Sequence, residues 1–527
     1  MSITRIPAIR NQTFVTLSVF VLGICVAWEL AQQITTDNMQ ALIFVSAGFV
    51  AIVSAINILR EWRSGVYLFL VWMLFEDLFR KYMGNGLALF FGKDILVALV
   101  YVSLFATIRR GREKRFRPPF LLFLGFFFLL GVVQVFNPNS PHVLYGLLGF
   151  KTYFYYIPLM YVGYALIRCD EDLRKFLVVN VALSALIAAL GIAQAILGNS
   201  FLNPTKLAPE LQDMGNLEKS TPLSGQLFSL PDSVFVSSGR FDFFLILAFI
   251  LALGAGGYLL LGNLRGRGIV FPSIGIIGVA TLLCGSRGAV MFVLISTVAL
   301  AVGLLWGAPW RQRRVHRVIK AIRRSVIFGV SAIALLVFLF PHEAGSRIAY
   351  YTETLLPNSS AYQLENRTLD YPIQNFLDAF SRPNWVLGNG IGTASLGMQY
   401  VAKVTGQRIP ELWVEEGYGV LIVEMGILAP FLWILWTASL LYYSWRVVRP
   451  LRQTRFFPIA LAIFWFLFLL LYPMTFGGLS AYQNYIYNIY MWILVGILFR
   501  LPEIQASTPN LLHPPTAKER ARGGFSF

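Results

Sequence analysis

Two arginines stand where a guanidinium is costly. Arg240, in VFVSSGRFDFFLILAF, sits at the mouth of an apolar run; Arg287, in LLCGSRGAVMF, sits in a turn between two apolar runs that is too short to leave a membrane surface. A guanidinium there needs something anionic to face it, and its planar donor fork suits a pair of phosphate oxygens. Gly285, Ser286 and Gly288 are small enough to let a ligand approach the backbone beside Arg287. The competing reading has both arginines snorkelling to the interface, or paired with a carboxylate such as Asp242.

A second group lies in the long polar interruption from about Pro341 to Tyr418. Arg347, Arg367, Arg382 and Arg408 bring positive charge to it. In GNGIGTASLGMQYV, Gly388, Gly390, Gly392 and Gly397 permit positive φ and close backbone approach, which suits a cradle of amides for an anion. Glu415 and Glu416 precede an apolar run, where partial burial raises a carboxyl pKa toward the range of a general base. They read equally well as a helix amino-terminal pair favoured by the dipole. Lys151, before YFYY, is placed to meet a lipid phosphate or to anchor at the interface. Glu76 and Asp77, next to Arg80 and Lys81, read as an ion-pair cluster before a metal or proton site.

These residues are carried by a membrane scaffold. The 527-residue chain is 57% hydrophobic and only 13% charged, with a mean hydropathy of +0.65, and an ordinary soluble domain has about a quarter of its residues charged. Runs near 14–34, 40–59, 65–80, 87–108, 118–136, 153–168, 176–197, 240–262, 268–285, 288–307, 325–341, 419–443, 456–476 and 481–499 each approach the length of a span. The expected fold is an all-α polytopic membrane protein of about 12 to 14 transmembrane helices with one large external loop, 342–418. A membrane domain over 1–499 precedes a tail, 500–527, that reads as disordered and cytoplasmic.

Charge placement supplies an orientation. With the amino terminus inside, the inner segments hold 30 of the 43 Lys and Arg and 7 of the 26 acids, as the positive-inside rule requires. Both termini are then cytoplasmic and the long loop is external. The basic runs RRGREKRFR and WRQRRVHRVIKAIRR read as topology anchors with affinity for anionic membrane lipids, and no nucleic-acid partner is expected. The first run is long, carries Glu29 and lacks a small-residue cleavage site, so it reads as a retained span. Three Cys and four scattered His give no disulfide framework or metal spacing, and nucleotide-binding glycine motifs are missing from the sequence. No cofactor is expected; the energy would come from an activated substrate or an ion gradient.

Taken in order, the arginine before FDFFLILAFILALG, the SRGA turn, LGNGIGT and EEGYGVLIVEMGILAP resemble the O-antigen ligase and O-antigen polymerase family of bacterial envelope glycosyltransferases, over roughly 230–440. The resemblance implies a C-type membrane glycosyltransferase fold in the bacterial plasma membrane. It implies transfer of a glycan from an undecaprenyl-pyrophosphate carrier to an acceptor glycan or glycolipid at the external face, alongside other polysaccharide-assembly proteins. On this reading Arg240 and Arg287 bind the pyrophosphate and Glu416 or Glu415 acts as base. Arg347, Arg367, Arg382, Gly390, Gly392 and Lys151 bind substrate, and Tyr350, Tyr351, Tyr371 and Trp385 stack on sugars. Many ligases of the family carry a His in the segment that here reads WVEEGYG; its absence favours polymerase over ligase. The second reading is a secondary transporter or flippase of a lipid-linked or anionic solute, with Glu76, Asp77 and Glu424 as proton sites.

Overall fold

In the computed structural model, residues 52–84, 87–111, 113–204, 218–307, 337–357 and 361–507, with 323, 331, 334 and 359, are described. The chain divides into two compact units, residues 1–72 with 91–112 and residues 73–90 with 113–527. The candidate site lies wholly in the second.

Among the described residues six helices are long and apolar enough to cross a membrane: Leu89–Arg109, Asp170–Leu197, Ser238–Gly262, Arg287–Gly307, Phe457–Gly477 and Tyr485–Ser507. Leu121–Val135 and Arg267–Leu283 are shorter apolar helices. The protein is therefore a helical membrane protein. Of the fourteen apolar runs, 14–34, most of 40–59 and most of 325–341 lie outside the described residues. The run at 65–80 falls within α1 (Trp62–Met83), whose last two turns concentrate Glu76, Asp77, Arg80 and Lys81.

In two places the structure interrupts an apolar run that reads as one span. The run 153–168 begins at the last two residues of α2 (Val143–Phe154) and continues, after a turn, in α3 (Leu159–Leu166), because Pro158 at the start of α3 has no amide to continue the ladder. The run 419–443 divides into α4 (Gly417–Met425) and α5 (Leu428–Val448) at Gly426, whose φ of +84° ends the first helix. The last helix, α6 (Tyr485–Ser507), continues beyond Arg500. The first eight residues of the expected tail are thus helical, and 508–527 lie outside the described residues.

Helix exteriors identify the solvent. On Arg287–Gly307 the side chains of Leu294, Val298, Val302 and Leu305 are each more than half exposed. Their spacing puts them on one face of the helix, and a continuous apolar face belongs against lipid. Ser238–Gly262, by contrast, is enclosed around most of its circumference, packing on Asp170–Leu197, Arg267–Leu283, Arg287–Gly307 and Phe457–Leu469. Close helix contacts rely on small residues, as they do in lipid. A Cβ on Gly496 of α6 would come within 2.5 Å of the Tyr164 amide on α3, so these two backbones pack in direct contact.

Candidate functional site

Two helix amino termini meet at one cavity. Helix α7 (Ser238–Gly262) is capped by Ser237, whose Oγ accepts from the Arg240 amide at 3.4 Å. Helix α8 (Arg287–Gly307) follows the turn 284–286, where Ser286 Oγ accepts from the Ala289 amide at 3.3 Å. The first amides of each helix lack an intrahelical acceptor and present partial positive charge. Between these termini lies a cavity of about 240 Å³, lined by Ser238, Gly239 and Asp242 of α7, and by Gly285, Ser286, Arg287 and Gly288. Lys219 and Leu230 complete its wall. Lys219 belongs to β1 (Glu218–Ser220), which pairs antiparallel with β2 (Leu227–Ser229).

The charges in this cavity are not spent on each other. Among the described residues, neither Lys219 nor Arg287 has a carboxylate within ion-pair distance. Arg287 donates to the neutral amide oxygen of Gln363 at 2.8 Å. Lys219 Nζ lies 4.7 Å and the Arg287 guanidinium 5.5 Å from the centre of the buried Tyr350 ring, so one aromatic ring orients both cations. Asp242 lines the same space, with Oδ1 buried and unbonded. Two cations, one carboxylate and two helix amino termini leave the cavity net positive, and it suits a multiply charged anion.

The turn that presents Arg287 is built from behind. Arg347, 1% exposed, donates through Nε to the Leu283 carbonyl at 2.7 Å and through Nη2 to the Ser229 carbonyl at 2.7 Å. Its Nη1 pairs with Glu343 at 2.8 Å, and Tyr351 donates to the Leu282 carbonyl. Both residues belong to α9 (Pro341–Leu355). Arg347 thus satisfies a terminal carbonyl of helix Arg267–Leu283, ties it to β2, and leaves no fork for a substrate. A side chain at Gly285 would come within 2.5 Å of Leu230 and 2.8 Å of Phe228, which holds the hairpin against the turn. The hairpin tip is fastened by Glu353, which accepts from the Leu223 and Ser224 amides; these hold its carboxyl below the usual range.

Arg240 faces elsewhere. Residues 238, 239 and 242 share one side of α7 and 240 falls on the other. Arg240 Nη1 reaches Asp77 Oδ2 at 2.6 Å, with the Tyr485 ring 5.3 Å beneath it. Asp77 also binds Arg80 at 2.7 Å, and Lys81 pairs with Asp232 at 2.9 Å. Arg240 and Arg287 are therefore in separate clusters. The carboxylate facing Arg240 is Asp77, not Asp242.

The glycine-rich segment receives an internal carboxyl group. Glu424, fully buried, accepts from the Ala394 amide at 2.9 Å, Ser395 Oγ at 2.7 Å and Tyr153 Oη at 2.8 Å. The Gly390 amide donates to the Glu424 carbonyl at 3.0 Å. Gly392, with φ +91°, lies against Gly149 of α2, and a Cβ there would strike the Tyr145 carbonyl. These glycines fasten the segment to α2 and α4.

Other expected site residues are spread around this framework. Glu416, 1% exposed, caps α4 by accepting from the Tyr418 and Gly419 amides, and burial pushes its carboxyl up to about 7. Each of its two oxygens accepts one backbone amide. Glu415 accepts from Tyr371 Oη. Arg382 donates to the carbonyls of Trp413 and Glu411, bracing the segment's return. The Arg367 guanidinium lies 5.0 Å from the Tyr371 ring and Lys151 Nζ 4.7 Å from the Phe90 ring. Trp385 packs edge-on against Phe380.

The sequence singles out Arg287 and its small neighbours, which line this cavity, but gives no sign of Lys219 and offers Asp242 only as a pairing partner. The spacing R-x-D at 240–242 was the available signal, since residues two apart on a helix face different sides. Among the described residues no group of three or more His, Cys, Asp or Glu could hold a metal ion. Comparison of the chain with protein-family models, curated proteins and solved structures finds no match.

Proposed function

We propose that the protein is a membrane glycosyltransferase of surface polysaccharide assembly, which takes a glycan from an undecaprenyl-pyrophosphate donor and joins it to an acceptor sugar at the external face of the bacterial plasma membrane. The observation that supports this is the cavity at the paired helix amino termini, where Lys219 and Arg287 have no carboxylate partner among the described residues. A glycosyl pyrophosphate is already activated, and its departure is favoured by fixed positive charge without a nucleotide or obligatory protonation. On this reading Arg287, Lys219 and the first amides of α7 and α8 receive the leaving pyrophosphate. Arg240 is a strut and Glu416 a cap, replacing their expected roles as ligand and base. The segment 342–418 supports the turn through Arg347. Polymerisation is the favoured outcome, because WVEEGYG lacks the His that many ligases carry.

The experiment is transfer by the purified protein in nanodiscs, supplied with a lipid-pyrophosphate oligosaccharide and no ion gradient. Elongated glycan from the wild type, lost in Arg287→Ala, supports the reading. No transfer from the wild type to any glycan or glycolipid acceptor tested overturns it.

A further inference from the structure

We propose that Asp242 is the catalytic base that takes the acceptor hydroxyl proton, an inference that rests on the glycosyl-transfer reading. It lies one turn inside α7, on the face shared by Ser238 and Gly239, and lines the cavity that holds Lys219 and Arg287. Cys284 and Ser286 hydrogen-bond the carboxyl group, and its Oδ1 is buried and carries no hydrogen bond. Asp77, Asp232, Glu416 and Glu424 have donors on both carboxylate oxygens or on the oxygen that faces their neighbours. Of the two acids expected as base, Glu416 caps a helix and Glu415 is held by Tyr371. His142 caps α2.

A base needs a free lone pair within hydrogen-bond reach of the proton it abstracts. In the proposed step a lone pair of the acceptor oxygen attacks the anomeric carbon of the donor sugar. Its O–H proton passes to the Asp242 carboxylate. The bond from the anomeric carbon to the pyrophosphate oxygen breaks, and its electron pair leaves on the lipid pyrophosphate, held by Lys219 and Arg287. Protonation removes the negative charge of Asp242 as negative charge builds on the leaving group beside it. The same cations hold the pyrophosphate throughout, and lose the competing charge of the carboxylate as negative charge builds on the leaving group. The titratable and charged groups around Asp242 are Lys219 on the hairpin, Cys284 on the turn, Arg287 on α8, Tyr351 on α9 and Tyr487 on α6.

The test compares wild type, Asp242→Asn, Asp242→Glu and Arg287→Ala as full chains in nanodiscs, reading donor binding and transfer separately. Asp242→Asn is expected to bind the lipid-pyrophosphate oligosaccharide at least as tightly as wild type while kcat falls about 10²- to 10⁴-fold. The acidic limb of the kcat profile should vanish with it, and Asp242→Glu should restore part of the rate. Transfer by Asp242→Asn within about threefold of wild type overturns the inference, as does a joint loss of donor binding and kcat in both Asp242 variants. If Arg287→Ala then still abolishes transfer, the functional reading stands and only the base is wrong. If the wild type transfers nothing from this donor, the reading itself fails.

Discussion

Arg240 Nη1 lies 2.6 Å from Asp77 Oδ2, and the other oxygen of that carboxylate takes Arg80 at 2.7 Å. One acid near the end of α1 therefore fastens the first turn of α7. Truncating one member of a buried pair leaves the other charge unpaired, at about 3–5 kcal/mol. Arg240→Ala and Asp77→Asn should both lower the melting temperature and yield of the purified protein. An Arg240→Ala protein with wild-type melting and weakened donor binding would instead make Arg240 a ligand.

Arg287 should behave oppositely. Its fork is held by a neutral amide and an aromatic face, so Arg287→Ala should melt close to wild type. Loss of hydrogen bonds to a charged ligand, about 1.5–3 kcal/mol, predicts roughly 10- to 100-fold weaker donor binding. Arg287→Lys should recover part of it. Binding assays with the lipid-linked donor check this, with Lys219→Ala as the parallel case.

Glu416 gives a pH dependence with a defined sign. Its carboxyl is raised by burial from an ordinary 4.5 to about 7 in the folded protein, so between those values the native state holds a proton that the unfolded chain has released. Stability attributable to this group is present below pH 4.5 and declines as pH rises toward 7. Glu416→Gln retains an acceptor for the cap but cannot ionise. Melting measured across pH 4.5–7 should show a shallower fall for the variant than for wild type, and equal slopes would contradict the assignment.

The contact between Gly392 and Gly149 leaves no room for a methyl group. Gly392→Ala also forces a side chain into φ +91°, a strain of about 1–3 kcal/mol before the clash with Tyr145 is counted. Loss of monodisperse protein on size exclusion is expected for Gly392→Ala and for Gly149→Ala. Gly406→Ala, with positive φ but open space around it, should cost only the backbone strain.

Hydropathy alone made the helical membrane class legible, because the bilayer imposes a length and an apolar content that survive any packing detail. It could not locate the break at Pro158 or at Gly426, since the residues on either side of each break are apolar. Arg287 was readable from its small neighbours and its place in a short turn. Arg240 looked equivalent, yet its role depends on Asp77, 163 residues earlier, and such a pairing has no local signature. The same limit hid Lys219, which gains its place only when the hairpin folds onto the 284–286 turn.

The anchoring of the glycine-rich segment has a consequence for how the chain is made. Ala394 and Ser395 fasten to a carboxylate 30 and 29 residues further along, whereas Tyr153 arrives 271 residues before it. During synthesis from the amino end, the segment emerges before Glu424 and waits beside a finished α2 with its amides unclaimed. Its closure follows insertion of α4 rather than its own translation. A chain ending between residues 397 and 424 therefore lacks the carboxyl group that fastens the strap.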